Sequence, residues 1–505
     1  MNVFSLFANA VLAWRDRPAV RYGGLGQTYG ELDEAAASFC AHLDSLGLRR
    51  GDRVALYMSN NFGYPAGLLG AFRGGYVAVP INAKLHPREA AYILSDSGAR
   101  AVVVEPEKAD GLRAAGAEPV ATIYAHPSGF VDAQKTPGVG PPADCDPDEP
   151  AWLFYTSGTT GRPKGAALSH RNLIAMSVNC LADICGFRPD DRLLHAAPLS
   201  HGSGLYLIPA LARGAENVID AGSGFDPERI LRFVAEERIT VLPFLAPTMI
   251  VRLLDADPAL SAPTLRAMIY GGAPIHLEHL RAAIRRFGPV LTQLYGQGEA
   301  PMTISFLPSW ALEDADDETL QSAGFVRAGV EIRILDGEGA EVAPGVSGEI
   351  AVRGDVVMRG YWRNDAANAA AFVDGFLRTG DIGALDARGR LRLLDRRHDV
   401  IISGGSNIYP REVEDVLTRH PAVKEAIVFG VPDREWGESV AAAVVLRGDA
   451  SDLDAQALID FCRDHLASFK KPRQVKFVAE LPKNAYGKVL RRELRGLFTV
   501  RGSRE

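Results

Sequence analysis

Residues 53–80 read RVALYMSNNFGYPAGLLGAFRGGYVAVP. Arg53-Val-Ala-Leu-Tyr57 has the apolar density of a buried strand, residues 65–72 that of a helix, and Tyr76-Val-Ala-Val-Pro80 that of a second strand. Residues 88–95 continue as a helix and Ala101-Val-Val-Val-Glu105 as a strand. Strand, helix and strand in this order imply parallel sheet covered by helices. The alternation returns between residues 170 and 295. Near Asp395 the character changes, and shorter elements alternate at 412–419, 426–430, 440–446 and 455–465. The fold class is therefore α/β. A large N-terminal domain, residues 1–395, carries mixed, mostly parallel sheets covered by helices. A small C-terminal α+β domain, residues 396–505, follows. The join, Leu394-Asp-Arg-Arg-His-Asp399, is short and polar, as a hinge is.

The 505 residues are too many for one compact core. Apolar content of 47% and charged content of 23% are those of a soluble globular protein. A net charge of −7 argues against a nucleic-acid binder, which usually carries a basic surplus. Five scattered cysteines without a C-x-x-C argue against a disulfide framework or a zinc site, and a reducing cytoplasm fits best. Residues 3–14 are apolar but lack a basic segment ahead of them, so they read as an amphipathic helix docked on the core. No window is apolar for long enough to predict a transmembrane segment.

The densest chemistry lies in Tyr155-Thr-Ser-Gly-Thr-Thr-Gly-Arg-Pro-Lys-Gly165, directly after the apolar run Ala151-Trp-Leu-Phe-Tyr155. Thr156, Ser157, Thr159 and Thr160 supply hydroxyls, Gly158 and Gly161 free the backbone, and Lys164 adds charge. Backbone N–H groups of a Gly-rich loop, hydroxyl donors and a lysine together suit a polyphosphate. The pattern is not a Walker loop, because Pro163 precedes the lysine and Gly165 follows it.

Other motifs are weaker alone. Tyr295-Gly-Gln-Gly-Glu299 ends a strand-like run and places an acid where Mg²⁺ can sit beside phosphate oxygens. Tyr270-Gly-Gly-Ala-Pro274 pairs two glycines, which lets a flat ring approach the backbone. Arg378-Thr-Gly-Asp381 offers a carboxylate to adjacent hydroxyls, as ribose presents them. Pro482-Lys-Asn-Ala-Tyr-Gly-Lys488 sets a lysine in an exposed turn. His201 sits in a Gly/Ser-rich loop, where a pocket role and a packed structural role are equally open.

In this order and spacing the six motifs 155–165, 271–274, 295–299, 378–381, 396–412 and 482–488 resemble the acyl-adenylate-forming (AMP-binding) family, over essentially the whole chain. The resemblance is to its acyl-CoA synthetase branch, which ligates fatty and aryl acids to CoA. It implies a two-step reaction: acyl-AMP and pyrophosphate form from a carboxylate and ATP, then a thiol displaces AMP. By resemblance, Thr156, Ser157, Gly158, Thr159, Thr160 and Lys164 hold the β- and γ-phosphates. Glu299, with Thr156, holds Mg²⁺. Gly272, Ala273 and Pro274 border adenine with Gln293, Leu294, Tyr295 and Gly296. Asp381 binds ribose with Arg396, and Lys488 bridges the carboxylate and the α-phosphate. Gly404 and Gly405 line the thiol channel opened by a mobile small domain. His201, Tyr206, Gly271 and Ala300 shape the acid pocket.

Two positions depart from the family pattern. Gly298 stands where Thr or Ser is usual, so a hydroxyl contact is missing or comes from a neighbour such as Thr303. His398 stands at the hinge in place of Lys or Asp, and an imidazole there makes the rotation pH-sensitive. Leu294 replaces the arginine of malonate-type members. A second carboxylate would be left without a partner, so an apolar monocarboxylic acid is expected. The expected partners are that acid and CoA, with neither nucleic acid nor a membrane span. The oligomeric state is left open, a homodimer included. No carrier-protein sequence follows Lys488, which favours a diffusible thiol. The alternatives are a stand-alone ligase loading an acyl-carrier protein, a luciferase-like oxidase and a degenerate nucleotide-binding regulator.

Overall fold

A computed structural model describes residues 1–126, 129, 130, 138, 140–156, 162–222, 224–397, 399–403, 406–448, 453–483 and 489–498. Ser157, Gly158, Thr159, Thr160, His398, Gly404, Gly405 and Lys488 lie outside the described residues.

The strands expected from residues 53–105 are present as Arg53–Tyr57, Val77–Ile81 and Ala99–Val104, with helices Tyr64–Arg73 and Pro87–Ser97 between them. These strands pair in parallel, and Ala121–His126 extends them on one side. On the other side Val77–Ile81 pairs in parallel with Pro150–Thr156, which turns back antiparallel into Lys164–Ser169. Every residue of Val77–Ile81 is buried, as a central parallel strand requires.

A second sheet aligns Leu291–Gln297, Ala267–Tyr270, Val241–Leu245, Arg192–His195 and Glu216–Ile219 in parallel. Ala300–Leu307 extends one side as an antiparallel hairpin partner of Leu291–Gln297, and Phe325–Val326 pairs beyond it. The two sheets share one large apolar core in which Trp152, Phe72, Leu199, Tyr206 and Tyr295 all lie. The N-terminal helix, Phe4–Trp14, docks into that core through Phe4, Phe7, Ala10 and Val11.

A third, antiparallel sheet contains Glu331–Leu335, Gly348–Arg353, Phe376–Leu385 and Leu391–Arg396. The smaller C-terminal domain is built on the hairpin Val423–Asp433 and Gly437–Leu446, flanked by helices Pro410–Arg419 and Ala455–His465. It meets the large domain beside the turn that follows Pro274. His276 Nδ1 lies 2.8 Å from Asp415 Oδ1, and Arg411 donates to the Ile275 carbonyl at 2.9 Å. Among the described residues no helix is long and apolar enough to cross a membrane.

Candidate active site

The ends of the hydroxyl-rich loop are pinned to each other. Thr156 and Lys164 are cross-strand partners in the hairpin that flanks residues 157–161. Beside them, Glu299 occupies the turn between Leu291–Gln297 and Ala300–Leu307. This motif is a tight β-hairpin, in which Gln297 pairs with Ala300, and the strand runs three residues beyond the apolar run that ends at Leu294.

Thr156 Oγ1 donates to Glu299 Oε1 at 3.1 Å, and the Tyr361 hydroxyl donates to the same oxygen at 2.9 Å. Glu299 is 8% exposed, and its side-chain partners among the described residues are these two hydroxyls. A buried carboxylate held, among the described residues, by hydroxyls alone is a fit partner for a cation. Lys164 Nζ lies 4.7 Å over the Tyr361 ring. No group of three or more carboxylate, His or Cys side chains is assembled among the described residues. A site with one carboxylate suits Mg²⁺ carried in on phosphates rather than a protein cage.

Successive side chains of a strand alternate faces, so Tyr295 and Gln297 project together. Both reach Asp381. The Tyr295 hydroxyl donates to Asp381 Oδ2 at 2.7 Å and Gln297 Nε2 donates to the same oxygen at 2.5 Å. Burial, reinforced by the Asp381 charge, raises the Tyr295 phenol well above its ordinary range, so it stays a donor. Arg396 Nε sits 3.2 Å from Asp381 Oδ1, and the two residues are cross-strand partners. Asp381 therefore lies within a long bulged strand, Phe376–Leu385, and not in a turn. Gly380, at φ +71°, supplies the left-handed backbone at the bend.

The pair Gly271 and Gly272 lies against Leu294 and Phe244. A Cβ on Gly271 would come within 2.6 Å of Leu294 Cδ1, and one on Gly272 within 3.5 Å of Phe244 Cζ. Tyr270 donates its hydroxyl to Gln293 Oε1 at 3.1 Å, which fixes the neighbouring strand end. His201 packs its ring 5.0 Å from Phe154. Burial lowers its pKa to about 4, so it is neutral at neutral pH. Tyr206 and Ala300 are each fully buried and lie in the large apolar core. Thr303 is also fully buried, and its Oγ1 has no hydrogen-bond partner among the described residues.

Four residues of this region carried no expectation from sequence: Tyr361, Gln297, Phe154 and Phe244. Gln297 had a readable signal, since it lies two residues from Tyr295 on the same strand face. Tyr361 had none, because its contacts join segments more than 60 residues apart.

The profile of the AMP-binding enzyme family matches residues 7–362, and that of the AMP-binding enzyme C-terminal domain matches residues 412–488. The chain belongs to the AMP-binding enzyme family. Its relatives place it in the acyl-CoA synthetase branch. It is 37% identical to a feruloyl-CoA synthase of an Amycolatopsis species, over 95% of this chain and 96% of that one. It is 32% identical to the medium/long-chain-fatty-acid–CoA ligase FadD8 of Mycobacterium tuberculosis, over 98% of this chain and 89% of that one. The crystal structure of ATP-bound MatB from Rhodopseudomonas palustris superposes with a TM-score of 0.90 at 34% identity, covering 99% of each chain. The AMP-binding family member described here thus shares its whole architecture with a relative solved with ATP.

Proposed function

We propose that this protein is an ATP-dependent acid–CoA ligase. It forms acyl-AMP and then acyl-CoA from an apolar monocarboxylic acid, fatty or aryl, and releases AMP and pyrophosphate. The observation that carries this reading is the hairpin Tyr295 to Ala300. It joins the Thr156–Glu299 pair to the Asp381 cluster, so one rigid turn serves a polyphosphate and a ribose together.

In this reading Thr156, Lys164 and the intervening residues Ser157, Gly158, Thr159 and Thr160 hold the β- and γ-phosphates. Glu299 supplies a carboxylate oxygen for Mg²⁺, whose charge offsets that of the phosphates when bound. Asp381, oriented by Tyr295, Gln297 and Arg396, accepts from the ribose hydroxyls. Gly272, Ala273 and Pro274 with Gln293, Tyr295 and Gly296 border the adenine. Lys488 brings a positive charge to the carboxylate and the α-phosphate, two anions that must meet. The domain boundary is proposed at residues 395 and 396, with His398 as the hinge residue and Gly404 and Gly405 on the path of CoA. Leu294 beside Gly271, Phe244 beside Gly272 and Phe154 beside Gly298 are all apolar and offer no cation to a second carboxylate, which supports a monocarboxylic acid.

The test is pyrophosphate release from ATP across fatty, aromatic and short branched acids, with CoA present. Acid-dependent release followed by thioester formation supports the reading, and no release with any acid overturns it. Lys488→Ala should abolish adenylation yet spare thioester formation from supplied acyl-AMP.

A further inference from the structure

The segment of residues 358–362 is bonded to both halves of the phosphate end of the site. Its backbone runs beside the strand Lys164–Ser169. Ala167 N–H donates to the Gly360 carbonyl, Arg359 N–H to the Ala167 carbonyl and Trp362 N–H to the Gly165 carbonyl, at 2.8, 3.0 and 2.8 Å. Met358 N–H donates to the Glu299 carbonyl at 2.7 Å. Asn368 clamps Tyr361 from behind: its Oδ1 accepts from the Tyr361 N–H at 2.6 Å and its Nδ2 donates to the Tyr361 carbonyl at 3.2 Å. Gly360 has φ +146°, and a Cβ there would meet Asn368 Oδ1 at 2.9 Å. The backbone that carries Tyr361 is therefore fixed on three sides.

From this seat the Tyr361 side chain makes two contacts of different kinds. Its hydroxyl donates to Glu299 Oε1. Its ring face lies under Lys164 Nζ. A carboxylate oxygen offers two lone-pair positions, and Oε1 has both filled, by Thr156 and Tyr361. The oxygen Glu299 has left for a ligand is Oε2, to which no described residue donates.

We propose that Tyr361 is a positioning residue for the adenylation half-reaction: its hydroxyl commits Glu299 to offering Oε2 alone to the divalent cation, and its ring holds Lys164 at the phosphate loop. The proposal rests on the ligase reading for its chemistry, but its two contacts separate by substitution. Tyr361→Phe removes the hydroxyl and keeps the ring under Lys164. Tyr361→Leu removes both.

The experiment is binding, without acid or CoA. ATP affinity is measured by calorimetry in the absence of metal, and Mn²⁺ affinity of the ATP complex by electron paramagnetic resonance. Tyr361→Phe should weaken Mn²⁺ about tenfold, the loss of one hydrogen bond to a charged group, and leave metal-free ATP affinity within about twofold. Tyr361→Leu should weaken Mn²⁺ equally and also weaken metal-free ATP severalfold, as a lost cation–π contact does. Melting temperatures within a few degrees of the parent confirm that both variants fold. A Tyr361→Phe chain that holds Mn²⁺ as tightly as the parent overturns the proposal, as does one that loses Mn²⁺ and metal-free ATP in equal measure. A parent that binds ATP and Mn²⁺ yet releases no pyrophosphate with any acid sinks the ligase reading and leaves the Tyr361 result standing. A parent that binds no ATP overturns both.

Discussion

Gly298 and Thr156 are matched in space. A Cβ at residue 298 would lie 2.4 Å from Thr156 Cγ2 and 2.7 Å from Phe154 Cδ1, closer than real side-chain carbons approach. The glycine at this family-variant position is thus compelled by its neighbours. Gly298→Ala should cost about 1–3 kcal/mol of stability, as overpacking does, and lower pyrophosphate release at least tenfold by pushing Thr156 off Glu299. Thr156→Ser removes the nearer methyl and keeps the hydroxyl, so Gly298→Ala with Thr156→Ser should recover part of both losses. A Gly298→Ala chain with parental melting temperature and turnover would show that the site yields freely.

Asp381 Oδ2 already accepts from Tyr295 and Gln297, which orients the carboxylate before any ligand arrives. Asp381→Asn replaces an acceptor by a donor that faces two donors, and it loses Arg396. The Michaelis constant for ATP should rise at least tenfold, with a smaller effect on that for the acid. Tyr295→Phe deletes one of the two orienting bonds and should raise the ATP constant by about two- to fivefold, in line with one hydrogen bond. Steady-state pyrophosphate release with ATP varied would decide, and an unchanged ATP constant in Asp381→Asn would remove ribose from its assigned place.

The elements between residues 53 and 105 were legible because each is locally consistent: apolar strands of five or six residues, helices between them, and glycine at the turns. Tyr295 and Asp381 were legible as motifs, but not their contact, since that contact depends on the register of two strands in different sheets. The apolar run ending at Leu294 falls three residues short of the strand because Gly296 reads as part of the turn that only Gly298 and Glu299 form. In the fold Gly296 and Gly298 are strand and hairpin positions packed against Met302 and Phe154. Tyr206 is fully buried in the core, which a loop sequence does not reveal, since it does not say which of its side chains turns inward. Tyr361 was invisible for the opposite reason. Its partners, Lys164 and Glu299, come from two other segments, and nothing in Gly360-Tyr361-Trp362 points to them.

His195 is fully buried between Ser203 Oγ and Asn217 Oδ1, both 2.9 Å from its ring nitrogens. Burial lowers its pKa to about 4, below the unfolded value near 6.5. The unfolded chain then binds the proton that the folded chain refuses. Stability is full above pH 6.5 and falls as the pH drops towards 4, by about 3 kcal/mol for this residue. His170 and His201 are lowered to about 4 as well and act in the same direction. Denaturant unfolding between pH 7 and 4.5 should show this decline. Its slope should be shallower by up to ~1.4 kcal/mol per pH unit in His195→Gln, which keeps polar contacts but does not titrate. An identical slope in the variant would mean that His195 titrates alike in the folded and unfolded chain.

Leu294 is 5% exposed and packs on the backbone of Gly271, so an acid seated against it would meet hydrocarbon. Leu294→Arg puts an unpaired cation into that wall, at a desolvation cost that no described neighbour offsets. Turnover of an apolar monocarboxylic acid, measured by pyrophosphate release, should fall at least tenfold in kcat/KM. Leu294→Met conserves volume and should stay within about threefold. If Leu294→Arg kept its rate with the apolar acid, the acid would not lie against this wall. If the variant instead gained a dicarboxylic substrate, the wall would be confirmed as the element that chooses between one carboxylate and two, because the added charge is worth having only where a second anion arrives to pair with it.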